Sequence, residues 1–61
     1  MFILTSDPEK GELSRAFDIL DDAFGTEQFD KNSAVTALKE GGFTSATFDK
    51  LVSGGFVTEV A

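Results

Sequence analysis

The sequence predicts a mainly α fold, three helices with a short β-strand at each end. Three observations carry that expectation. Apolar residues recur at helical spacing in three separate stretches, and glycines (Gly25, Gly41-Gly42, Gly54-Gly55) follow each stretch. Short apolar runs stand at the two ends, Phe2-Ile3-Leu4-Thr5 and Phe56-Val57-Thr58-Glu59-Val60. With 61 residues the chain makes one small domain, near the size at which a single core is barely sufficient.

Taken in order, Phe2-Ile3-Leu4-Thr5 reads as a strand or hydrophobic arm. Ser6-Asp7-Pro8-Glu9 is a helix beginning of one of two kinds. Either Ser6 and Glu9 form a capping box, or Asp7 caps a helix with Pro8 in its first position. The helix is expected over residues 8–24, stopping at Gly25. Leu13, Ala16, Phe17, Leu20, Ala23 and Phe24 form its apolar stripe, Ile19 lies at the stripe's edge, and Ser14, Arg15, Asp18, Asp21 and Asp22 lie opposite. Gly11 costs about 1 kcal/mol relative to alanine, so the first turn is expected to fray.

Residues 26–30 connect this helix to the next, and Phe29 must find the core. Asp30 or Asn32 caps a second helix that continues to about Glu40, with Ala34, Val35, Ala37 and Leu38 inward. After Gly41-Gly42, Thr44 or Ser45 caps a third helix with Phe48, Leu51 and Val52 inward. Ser53-Gly54-Gly55 breaks it before the last strand. A lone strand leaves backbone groups unpaired, so residues 2–5 are expected to pair with residues 56–60.

Seven phenylalanines and no Trp or Tyr suit a core held by packing alone, because phenylalanine has no polar atom to satisfy. No cysteine or histidine is present, which removes disulfides and Cys/His metal sites as supports. The charge is uneven. Residues 1–30 carry eight acids against Lys10 and Arg15 and so hold the whole net charge of −6; residues 31–61 balance Lys31, Lys39 and Lys50 against Glu40, Asp49 and Glu59. An acidic balance repels phosphate, whereas nucleic-acid binders usually present a basic face. The apolar start is too short for a signal-peptide core or membrane span, so no membrane association is expected and the cytoplasm is the default compartment.

Residues 37–52 also meet the needs of a helix-turn-helix. Such a unit wants a small residue on its first helix, a turn residue free to take positive φ, and an apolar residue just after the turn. Ala37, Gly41-Gly42 and Phe43 stand in that order. The run Phe43-Thr44-Ser45-Ala46-Thr47-Phe48-Asp49-Lys50-Leu51-Val52-Ser53-Gly54-Gly55 resembles the recognition segment of winged helices of the excisionase and mercury-resistance-regulator kind. Those segments run valine-serine-x-x-threonine-valine-x-x-leucine-isoleucine-x-x-glycine. The resemblance covers about half the chain and implies a helix-turn-helix (winged-helix-like) domain that binds DNA, with Val57-Thr58-Glu59-Val60 as a first wing strand. The chain departs from the pattern in its acidic first helix and in lacking most of the usual basic residues of the recognition helix; a returning wing strand is not in the 61 residues.

Two functional readings stand side by side. In the first, the protein is a small DNA-binding regulator, acting as a homodimer or beside a larger partner. Thr44, Ser45, Thr47 and Lys50 of the third helix meet DNA, and Lys31 and Lys39 reach phosphates. The outward residues of that helix, Ala46, Asp49, Lys50 and Ser53, sum to no net charge, and the hydroxyls equally suit helix capping. In the second, the protein is an interaction module without DNA binding, and Glu12, Asp18, Asp21 and Asp22 meet a basic protein partner. An exposed apolar arm at residues 2–4 would favour a homodimer in either case.

Other chemistries find little support. Asp18, Asp21 and Asp22 have the spacing for a shared cation, but calcium loops need a glycine bend and a distal glutamate, and a solvated face is the simpler reading. With no His, Cys or Tyr and no strand-to-helix phosphate loop, neither an enzyme nor a cofactor is expected.

Overall fold

The computed structural model describes residues 1–60 and has the order β1 (Phe2–Leu4), α1 (Gly11–Phe24), α2 (Lys31–Glu40), α3 (Ser45–Ser53) and β2 (Val57–Glu59). The fold is mainly α, three helices with a two-stranded antiparallel sheet made from the chain's ends. β1 and β2 pair in the expected way, with Phe2 opposite Glu59, Ile3 opposite Thr58 and Leu4 opposite Val57. Bonds from Thr5 N to Phe56 O and from Val60 N to Met1 O, both 2.8 Å, extend the ladder at its two ends. The Thr5 hydroxyl adds a bond to Gly55 O at 2.9 Å.

The core lies where the three helices meet the sheet. Ala16, Phe17 and Leu20 of α1, Ala34 and Leu38 of α2, and Phe48 and Leu51 of α3 are buried, joined by Val57 of β2. Phe29 reaches this core from the α1–α2 connection and is tied to β1 by two backbone bonds, Phe2 N to Phe29 O at 2.7 Å and Phe29 N to Phe2 O at 3.0 Å. The rings follow suit. Phe2 meets Phe48 edge to face at 5.1 Å, and Phe24 stacks on Phe29 at 4.7 Å, the offset and T-shaped contacts that aromatic quadrupoles favour. None of the seven phenylalanines is exposed.

Three local expectations are corrected. The first helix begins at Gly11 rather than Pro8. Asp7 Oδ1 accepts from Glu9 N at 3.0 Å, Lys10 N bonds Pro8 O at 2.8 Å, and Glu9 sits at φ 72, so the capping residues are used in a tight turn instead. Lys10 occupies the N-cap position and makes no side-chain cap bond. Ala23, assigned to the inward stripe, is exposed: in the last turn of α1 it is Phe24, stacked on Phe29, that packs against the core. Residues 2–4 are not an exposed arm: they are half-buried and paired with β2.

The cap of α2 is Asp30, whose Oδ1 accepts from Ser33 N at 2.7 Å. That backbone donor, helped by the Ser33 side chain, holds the Asp30 carboxyl below its ordinary value. Thr44 takes the N-cap position of α3 without a side-chain bond.

Candidate functional site

The α2–α3 unit brings most of the residues expected to meet DNA to the surface, with one exception. Lys31, Lys39, Thr44, Ser45 and Lys50 are exposed. Thr47 is only 7% exposed and shares the inward face of α3 with Phe48 and Leu51. Positions 47, 48 and 51 lie together on one side of a helix, so burying the two apolar residues carries the threonine in with them. The outward side of α3 holds Ala46, Asp49, Lys50 and Ser53, all exposed as expected.

One of the three lysines on this unit is answered within it. Lys31, the first residue of α2, places its Nζ 3.6 Å from Asp49 Oδ1 on α3, and this is the one ion pair among the described residues. Asp49 therefore offsets Lys31 by contact. Two cations with no carboxylate in contact, Lys39 and Lys50, remain on α2 and α3, each in the last turn of its helix.

The acidic face of α1 is different. Glu12, Asp18, Asp21 and Asp22 are all exposed, and none has a cation within ion-pair distance. Arg15, three residues before Asp18, does not close a pair with it. Among the described residues no group of three or more acidic side chains converges closely enough to hold a metal ion, and no helix is long and apolar enough to cross a membrane.

A feature that pattern reading did not reveal lies between α1 and the α2–α3 turn. There, Glu12, Arg15, Asp18, Ile19, Gly41, Gly42 and Phe43 line an open groove of about 530 Å³. Gly41 shapes it by close approach. A Cβ at that position would collide with Ile19 Cδ1, although the backbone itself is ordinary at φ −88. Gly42 has the opposite character, with open space around it and φ +89, a conformation that glycine adopts freely. The two glycines are visible in the sequence; that position 41 would rest on Ile19, more than twenty residues earlier, is not. A smaller hollow, about 370 Å³, lies beside α2 and is lined by Phe24, Asn32, Ser33, Thr36, Ala37 and Glu40, with one carboxylate and no cation.

No protein-family model, curated protein or solved structure matches the chain.

Proposed function

We propose that this protein is a non-catalytic, acidic protein-interaction module that meets a basic protein partner through α1. One observation carries the reading. The four α1 carboxylates stand exposed without a cation in contact, whereas on the α2–α3 face Asp49 answers Lys31 and two cations, Lys39 and Lys50, are left without a carboxylate in contact. Unpaired charge of one sign on a rigid helix raises the encounter rate with an opposite partner and excludes like-charged ones, phosphate backbones among them. The cysteine-free composition accords with a cytoplasmic setting, which is part of the same reading.

DNA binding by a helix-turn-helix is the second reading. Its support is the α2–glycine turn–α3 order together with the exposed set Lys39, Thr44, Ser45 and Lys50. An amide-shift NMR titration separates the two, using pentalysine in one arm and a mixed-sequence DNA duplex in the other, at low and then moderate salt. The interaction module predicts pentalysine shifts along α1 and none from DNA. Salt-sensitive DNA shifts on α3, with α1 silent to pentalysine, would replace it with a DNA-binding regulator.

A further inference from the structure

The groove between α1 and the α2–α3 turn combines features that suit one kind of guest. Its apolar surface is Ile19 and Phe43, both half-buried and packed against the core. Glu12 and Asp18 lie along it from α1, and neither is in an ion pair. The C-terminus of α2 ends at it. There Gly41, Gly42 and Phe43 donate their N–H groups back to the carbonyls of Ala37, Leu38 and Lys39, which fixes the turn that forms one wall. Gly41 and Gly42 place no side chain across the mouth. Arg15 is the single cation present and pairs with neither carboxylate.

We infer that this groove receives a lysine or arginine side chain carried on an apolar segment of the partner, its stem on Ile19 and Phe43 and its charge beside Glu12 and Asp18. The inference rests on the interaction-module reading and narrows it from a charged helix face to a defined seat. A long basic side chain fits both halves of the surface, because its methylene stem is apolar while its head carries the charge. Aspartate and glutamate segments meet the carboxylates with like charge. Arg15, by the same logic, weakens the site for a cation.

The test is an amide-shift titration of the whole chain with acetyl-Leu-Arg-Leu-amide, against the same peptide with norleucine in place of arginine. The arginine peptide is expected to shift Ile19, Gly41, Gly42 and Phe43, and the norleucine peptide to leave them unmoved. Glu12→Gln with Asp18→Asn should weaken binding about threefold or more, and Arg15→Ala should strengthen it. These exposed changes leave the core intact, which the dispersion of the same spectra verifies. Equal binding of the norleucine peptide, or indifference to the carboxylate changes, overturns the seat. Shifts confined to Asp21 and Asp22 overturn the seat and leave the acidic module standing. Silence toward both the arginine peptide and pentalysine removes both.

Discussion

Lys31 Nζ lies 3.6 Å from Asp49 Oδ1, so a lysine expected to face phosphate faces a carboxylate of the same domain instead. The side chains are 54% and 66% exposed, and water screens the pair heavily. It also answers a local need. Lys31 begins α2, where the helix dipole disfavours a cation, and Asp49 supplies the compensating charge from α3.

Asp49→Ala is therefore expected to cost at most about 1 kcal/mol in urea denaturation. If the α2–α3 face binds DNA, the same change should tighten binding at low salt, since it releases Lys31. A loss of stability well beyond that figure would make the pair structural.

The adjacent glycines should fail for different reasons. Gly41→Ala drives a methyl into Ile19 Cδ1 and is expected to cost about 1 kcal/mol, the low end for overpacking because that atom ends a flexible chain. Gly42→Ala meets no atom but forces φ +89 on an L residue, at about 1–2 kcal/mol. Ile19→Ala should rescue the first and not the second. A double-mutant cycle on melting curves checks this, and equal rescue of both would refute the distinction.

Glu9 is the one non-glycine residue at positive φ among those described, at 72. Glu9→Gly is expected to stabilise the domain by up to about 1 kcal/mol, because it removes the steric cost of that conformation at a loop position. The glycine's greater freedom in the unfolded chain acts the other way, so the net gain is modest. A lower melting temperature in the variant would show that Glu9 contributes through its side chain instead.

The Asp30 cap makes a pH prediction. Ser33 N–H stabilises the ionised carboxyl, and the folded value lies below the ordinary 3.8. A depressed carboxyl contributes stability that is fully present above the unfolded value and is lost as pH falls through the folded one. The urea midpoint should thus decline from about pH 5 downward, and Asp30→Asn, which keeps an oxygen acceptor for Ser33 N–H, should flatten Asp30's share of the decline. Identical pH profiles for the two proteins would assign the acid sensitivity to other carboxylates.

Much of the architecture was legible because it depends on local periodicity and on a few residues with strong conformational preferences. The stretches around Phe17 and Leu20, Ala34 and Leu38, and Phe48 and Leu51 place their apolar residues on one helical face, and all six are buried. Gly25, Gly41 and Gly54 stand just past the three helices, where they were expected. The pairing of the chain's ends followed from the need to satisfy strand backbones. The start of α1 was misplaced because local signals conflict there. Ser6-Asp7-Pro8-Glu9 can cap a helix or close a turn with the same atoms, and the context around Glu9 selected the turn.

The sequence by itself determined that three helices and two terminal strands form, where each helix stops, and that all the net charge lies in residues 1–30. Those properties reside in neighbours a few positions apart. Only the tertiary structure decided that Lys31 is answered by Asp49, and that Ile19 and Phe43 open onto one groove with Glu12 and Asp18. Each of these depends on how the helices are set against one another, and that setting is chosen by the packing of Phe29, Phe48, Leu20 and Leu38 in a shared core, a many-body condition that no local pattern contains.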